Sequence, residues 1–213
     1  KADGVVPVPA HLSTIEAATL PCAALTAWNA LVEVGRLKAG DTVLLLGTGG
    51  VSIFALQFAT AMGARVILTS SSDAKLERAR AMGAADTVNY KANPDWQKAV
   101  LDLTGGRGVD VTVEVGGPGT LARSVEATRV AGRVALIGVL TGGTIDPTLI
   151  MRKSITLQGV YVGSRRMFRE MNKALALHSI KPVIDHTVPF ADAKAAYHAM
   201  EAAGHFGKIV IAG

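Results

Sequence analysis

Residues 41–52 read Asp41-Thr-Val-Leu-Leu-Leu-Gly-Thr-Gly-Gly-Val-Ser52, and the fold class follows from them. Residues 42–46 are an uninterrupted run of strand length. Gly47, Gly49 and Gly50 follow at once, and residues 51–62 repeat apolar side chains at helical spacing. A strand, a glycine turn and a helix start in that order form the dinucleotide-binding arrangement. Gly47 permits the tight turn, Gly49 lets the backbone approach a pyrophosphate, and the free N–H groups at the helix start face the anion. The third glycine of G-x-G-x-x-G is replaced by Ser52, a small residue at a position that serves helix–strand packing. A bare G-x-G also marks ordinary turns, so its neighbours carry the weight.

A second strand is expected over residues 65–70, after the Met62-Gly63-Ala64 turn. An acid that would grip an adenosine ribose belongs roughly 20 residues past the glycines. Thr69, Ser70, Ser71 and Ser72 stand there instead, with no acid before Asp73 and with Lys75 close behind. A carboxylate would repel a 2′-phosphate, whereas hydroxyls and a lysine accept one, so NADP(H) is expected over NAD(H). The same serines also suit a helix N-cap, with Lys75 a solvated charge, and both roles are compatible.

At 213 residues the chain can bury a substantial core in one large domain or in one domain with appendages. Apolar residues at 49% against 18% charged exclude a disordered chain. The net charge of +5 is scattered rather than gathered in a stripe, which argues against a nucleic-acid partner. The single cysteine, Cys22, allows no internal disulfide. No apolar run reaches membrane-spanning length, and no signal sequence is legible. A reducing, cytoplasmic setting without a membrane partner is expected.

Along the chain, Ser13 and Glu16 fit a capping box opening a helical stretch to Gly35 that Pro21 interrupts. Helices are expected over 73–82, from Asn93-Pro94 to Gly105-Gly106, over 121–129 and over 191–203. Further strands are expected over 87–90, 109–115, 132–139 and 154–162, with strand-like residues in 181–188 and near the C-terminus. Strand–helix alternation with apolar strands predicts an α/β fold with a doubly wound parallel sheet. Ligands sit outside the carboxyl ends of such strands, so Gly49, Gly116, Gly138 and Gly163 are candidates to line one crevice, or simply to terminate elements. The tail departs from the alternation.

Several markers occur in order: Thr19-Leu-Pro-Cys-Ala-Ala-Leu-Thr-Ala-Trp28, Lys38-Ala-Gly-Asp-Thr-Val43, Gly47-Thr-Gly-Gly-Val51, Lys75-Leu-Glu-Arg-Ala-Arg-Ala-Met-Gly-Ala84, Asp110-Val-Thr-Val-Glu-Val-Gly-Gly117, Gly132-Arg-Val-Ala-Leu-Ile-Gly138 and Gly207-Lys-Ile-Val-Ile211. Together they resemble the medium-chain dehydrogenase/reductase superfamily, which holds the zinc alcohol dehydrogenases and the zinc-free quinone reductases. The resemblance implies a Rossmann domain over residues 21–180. It implies remnants of a GroES-like catalytic domain at both ends, residues 1–20 and 181–213. The chain then reads as the cofactor-binding part of a longer enzyme, inactive or weakly active alone.

Carried over by position, the resemblance sets Gly49, Gly50 and Val51 at the pyrophosphate. Ser70, Ser71, Ser72 and Lys75 fall at the 2′-phosphate, and Tyr90 near the adenosine phosphate. Val115, Gly116, Gly138, Val139 and Leu140 pass under the adenine and nicotinamide ribose. Thr26, Tyr161 and Val162 fall at the nicotinamide, and Phe206 and Lys208 close over the cofactor. Each has a plain packing alternative. The implied reaction moves hydride between NADPH and a quinone, enone or carbonyl, with a small-molecule substrate and a homodimer paired through the sixth strand. The alternatives are a zinc-dependent alcohol dehydrogenase and a non-catalytic nucleotide-binding domain. Cys22 falls where zinc members place one ligand, but its surroundings resemble zinc-free members, so a small buried thiol and no metal are expected. No general acid stands out; Tyr161 and Cys22 are the residues with suitable chemistry.

Overall fold

The computed structural model describes residues 4–139 and 141–213. Leu140 lies outside the described residues. Six parallel strands form one sheet: β1 Thr42–Leu46, β2 Arg65–Ser70, β3 Asp86–Asn89, β4 Val109–Glu114, β5 Thr128–Leu136 and β6 Thr156–Gly159. Their order is β3-β2-β1-β4-β5-β6, so the winding direction reverses between β1 and β4. This is the doubly wound arrangement expected from the sequence, and that reversal is where such folds place a ligand.

Alternation along β1 and β2 explains the two covered faces. Val43, Leu45, Val66 and Leu68 belong to a core that includes Phe54 and Phe58 of helix Gly50–Ala61 and Met171 and Leu175 of helix Arg165–Leu177. Leu44, Leu46 and Ile67 instead pack with Trp96 and Val100 of helix Trp96–Leu103. Successive side chains of a strand point to opposite faces, so a strand apolar at every position is buried on both.

In chain order the helices are α1 Thr14–Ala17, α2 Leu25–Trp28, α3 Gly50–Ala61, α4 Asp73–Ala81, α5 Trp96–Leu103, α6 Pro118–Ala127, α7 Pro147–Arg152, α8 Arg165–Leu177 and α9 Ala193–Glu201. The Ser13–Glu16 capping box opens α1. The helical stretch breaks at residues 18–19, just ahead of Pro21. Pro21 lies in the first turn of a π-helical segment, Leu20–Ala24, where its missing N–H costs no helical bond. That segment runs through α2 into a second π-helical segment, Asn29–Val34, ended by the Gly35 N–H donating to Ala30 O at 2.9 Å.

Other boundaries also move. Helix α6 starts at Pro118 and yields to strand at Thr128, where the sequence favours helix to 129. Thr128 Oγ1 donates to Ser124 O and pairs with Thr112 Oγ1 on β4, which fixes the changeover. The pairing of β4 with β5 then shifts register between Val109 and Val111. Strand β6 is shorter than 154–162, because Ser154 and Val162 both take positive φ (51° and 54°). No element is expected from sequence over residues 140–153 or 163–180, where α7 and α8 lie.

The return segment forms its own parallel pair, β7 Ile184–Pro189 with β8 Lys208–Ala212. It is tied to the main sheet at the glycine turn. Gly49 and Gly207 form an isolated bridge, and Gly207 N–H donates to Thr48 O at 3.0 Å.

Candidate cofactor-binding site

A cleft of about 850 Å³ opens over the carboxyl ends of β1, β2, β4 and β5. Its size falls in the range of small-molecule and cofactor pockets, roughly 300–1,000 Å³. The floor is the turn between β1 and α3. Gly47 takes φ +72°, a left-handed conformation that glycine adopts without strain. Gly49 caps α3 in extended geometry without a side-chain cap, so the first N–H groups of the helix are left to another acceptor. A Cβ on Gly47 or Gly49 would meet nothing within 4 Å, so that side of the turn is open to the cleft. A Cβ on Gly50 would lie 2.7 Å from Lys208 Cδ and 3.1 Å from Ala23 Cβ, so the return strand packs closely here and the flexible Lys208 side chain would have to shift to admit one.

Ser52 does more than remain small. It is buried, and its Oγ donates to Leu46 O at 2.6 Å, tying the first turn of α3 to the end of β1. That bond compensates for a hydroxyl placed between helix and strand.

At the end of β2, Ser70, Ser71 and Lys75 line the cleft. Lys75 Nζ donates to Ala203 O at 2.8 Å, so the ammonium is held at the cleft edge by the return segment. Ser72 does not line the cleft. It caps α4, its Oγ accepting from Lys75 N–H at 3.5 Å, so the packing alternative holds for this serine. Asp73 is exposed and turned aside: its Oδ1 accepts from Asn89 Nδ2 at 2.7 Å. No carboxylate therefore stands among the cleft-lining residues at this corner.

On the other side the ends of β4 and β5 contribute Val115, Gly116, Gly138 and Val139. Glu114 shapes this wall from beneath. Fully buried, it accepts at Oε1 from Gly116 N–H (2.7 Å), Gly117 N–H (3.0 Å) and Thr120 Oγ1 (2.7 Å), and at Oε2 from Ser124 Oγ. Its carbonyl accepts from Ile137 and Gly138 N–H at 2.8 and 2.9 Å. One side chain and its own peptide thus join the two loops that face the cleft.

The fold brings Gly49, Gly50, Val51, Ser70, Ser71, Lys75, Tyr90, Val115, Gly116, Gly138 and Val139 to one cleft. It leaves others outside the lining. Thr26 is buried within α2. Tyr161 is 98% exposed. Val162 holds Asn29 Nδ2 on its carbonyl at 2.9 Å. Phe206 is buried under the Arg78 guanidinium, 4.2 Å from the ring centroid. Lys208 lies alongside Gly50. Cys22 is exposed rather than a buried thiol, because its place in the first turn of the π-helical segment faces away from the core. Among the described residues no three His, Cys, Asp or Glu side chains gather as a metal site. Nor is any described helix long and apolar enough to cross a membrane.

Sequence reasoning missed Thr48, Trp96, Thr120, Arg123 and His205, all in the lining. Thr120 and Arg123 share a face of α6 at i, i+3 spacing, but nothing local in the sequence points that face at the cleft.

The residues fit a dinucleotide. The donors at the helix start, the open side of the glycine turn, and a corner of hydroxyls with an ammonium match pyrophosphate and phosphate chemistry. Comparison with known proteins agrees. The zinc-binding dehydrogenase family profile matches residues 50–177. The zinc-type alcohol dehydrogenase-like protein C1773.06c of Schizosaccharomyces pombe is 43% identical over 99% of this chain and 63% of its own length. An NAD-dependent alcohol dehydrogenase structure superposes with TM-score 0.90 at 35% identity, over 97% of this chain and 61% of that one. The quinone oxidoreductase of Thermus thermophilus, solved also with NADPH, superposes with TM-score 0.84 at 31% identity, over 99% and 70%. The chain spans 63% and 60% of the length of the zinc-type alcohol dehydrogenase-like relatives from Schizosaccharomyces pombe and Leptosphaeria maculans. It belongs to the zinc-binding dehydrogenase family, within the medium-chain dehydrogenase/reductase superfamily, and carries that family's nucleotide-binding domain.

Proposed function

We propose that this chain binds NADP(H) and serves a reductase that exchanges hydride between NADPH and a quinone, enone or carbonyl compound. The observation that carries the cofactor choice is the corner at the end of β2. Ser70, Ser71 and Lys75 line it, and the next acid along the chain, Asp73, is turned toward Asn89. A carboxylate in that corner would hydrogen-bond a ribose diol and repel a 2′-phosphate; an ammonium and two hydroxyls do the reverse.

When bound, the nicotinamide supplies the hydride chemistry. This chain's residues bind and orient. The N–H groups after Gly49 hold the pyrophosphate, Lys75 and the serines hold the 2′-phosphate, and the Glu114-braced loops carry Gly116 and Gly138 under the cofactor. In the same reading residues 21–180 are the cofactor domain, and residues 1–20 and 181–213 belong to a GroES-like domain. Strand β6 is a sheet edge with Tyr161 and Met151 exposed beside it, which suits a homodimer paired there. A cytoplasmic location suits a chain whose one cysteine is a free thiol.

The test is the pair of dissociation constants for NADPH and NADH, read by cofactor fluorescence. A charge-assisted bond to phosphate contributes about 1.5–3 kcal/mol, so Lys75→Ala should weaken NADPH by about tenfold or more and leave NADH nearly unchanged. Equal weakening of both would refute the 2′-phosphate assignment.

A second reading is a zinc-dependent alcohol dehydrogenase, favoured by the exposure of Cys22 one residue from Ala23, which packs against the glycine turn. Such a site takes three protein ligands, of which this chain would supply one. Zinc that is bound by a longer form carrying the other two ligands and lost there in Cys22→Ser would support it. Zinc retained in that variant would remove it.

A further inference from the structure

The return segment brings one more titratable group to the cleft. His205 lines it together with Ser71 and Lys75. It sits two residues before Gly207, whose N–H is bonded to the glycine turn. The ring's Nδ1 is buried and has no hydrogen-bond partner among the described residues. An unsatisfied buried nitrogen costs about 1–3 kcal/mol, and the ring can meet a ligand through the partly exposed edge that lines the cleft. The charged and titratable groups that act on the ring are Lys75 from α4, Lys208 from β8, and Asp185 and His186 from β7. Burial first, and then the Lys75 charge, push the imidazole below its ordinary value. With these neighbours alone the ring favours its neutral form. A phosphate dianion beside Lys75 would offset the lysine charge and accept a hydrogen bond from the imidazolium, and both changes favour the protonated ring.

We propose that His205 is a specificity-determining residue that takes up a proton when the 2′-phosphate of NADP(H) binds, so that discrimination against NAD(H) strengthens as pH falls. The proposal rests on the assignment of Ser70, Ser71 and Lys75 to that phosphate and adds proton linkage to it. The sign follows from the two states. The histidine pKa is low without the phosphate and raised with it. Between the two values binding consumes a proton, and affinity for NADP(H) rises with acidity. The phosphate's own second ionisation, near about pH 6, works in the opposite direction. The informative quantity is therefore the difference between wild type and His205→Gln, which keeps a polar side chain and does not titrate.

Calorimetry of the whole chain with NADP+ and with NAD+, at about pH 6.5 and about pH 8 and in two buffers of different ionisation enthalpy, reads both affinity and proton uptake. Wild type should take up more protons than His205→Gln on binding NADP+ and the same number on binding NAD+. One pKa unit of stabilisation corresponds to at most about tenfold, reached only below the lower of the two pKa values, so the NADP+/NAD+ affinity ratio of wild type should exceed that of the variant by about twofold or more at the lower pH and by less at the higher. Should His205→Gln melt early, His205→Asn is measured in the same way. Equal ratios and equal proton uptake in wild type and a folded variant would overturn the proposal while leaving the Lys75 assignment intact. So would a loss of NAD+ affinity as large as that of NADP+, which would put His205 at the pyrophosphate. A wild type without NADP+ preference at either pH would refute the 2′-phosphate assignment itself, and the proposal with it.

Discussion

The carboxyl ends of β2 and β4 lie on either side of β1 and handle polar groups in opposite ways. At β4, Glu114 is wholly buried, and four donors from Gly116, Gly117, Thr120 and Ser124 satisfy its carboxylate. At β2, Ser70, Ser71 and Lys75 face a cleft, and Lys75 is held only by one backbone carbonyl at its edge. A polar group whose partners are all internal is part of the scaffold. Donors gathered at a cleft with no internal anion are available to a ligand. The difference separates residues that build the site from residues that use it, and substitutions on the two sides should fail in different ways.

The largest effect is expected on the scaffold side. Glu114→Ala strips the acceptor from four buried or partly buried donors, and donors left unpaired cost about 1–3 kcal/mol each before relaxation. A loss of about 3 kcal/mol or more in urea unfolding should follow, with Glu114→Gln losing less because it keeps one acceptor oxygen. A loss below about 1 kcal/mol would mean that the two loops hold themselves, and the contrast between the strand ends would dissolve.

Asp110, near the start of the same strand, extends the contrast. Buried at 5% exposure, it accepts from Thr42 N–H and from Arg107 and Arg129. Burial alone would raise its pKa, but the Arg107, Thr42 and Arg129 hydrogen bonds outweigh it and lower the value to about 2. A depressed carboxyl pKa contributes stability above its unfolded value, about 3.9, and loses it as pH falls through the folded value. The shift corresponds to about 2 kcal/mol, removed between about pH 4 and about pH 2. Asp110→Asn should flatten that part of the pH–stability curve. An unchanged acid limb would put the acid-sensitive group elsewhere. The substitutions at Lys75 and His205 complete the contrast from the other side, since they should shift cofactor preference at little cost in stability.

The sequence was most informative where a feature is local. The run from Thr42 to Ser52 contains its own strand, turn and helix start, and the capping box at Ser13 satisfies its own N–H groups. Gly47 has the positive φ that its tight-turn role requires. Boundaries set by tertiary bonds were less legible. The change from helix to strand at Thr128 depends on Thr112, sixteen residues away. Helix α8 sets Met167, Phe168, Met171 and Leu175 on one face and Arg165, Arg166 and Arg169 on the other, an amphipathic pattern that was legible in the sequence and went unread. Within the site, Arg123 and His205 reach the cleft from α6 and from the return segment by topology alone. Tyr161, which family position sets at the nicotinamide, is 98% exposed.

A crystal structure of the chain with NADP+ bound would probe the phosphate corner and the glycine turn together. The pyrophosphate should lie on the N–H groups that follow Gly49. The 2′-phosphate should lie within hydrogen-bond distance, about 3 Å, of Lys75 Nζ and the Ser70 or Ser71 hydroxyl, with Lys75 released from Ala203 O. A 2′-phosphate projecting into solvent while Lys75 stays on Ala203, or a dinucleotide bound away from the glycine turn, would contradict the assignment.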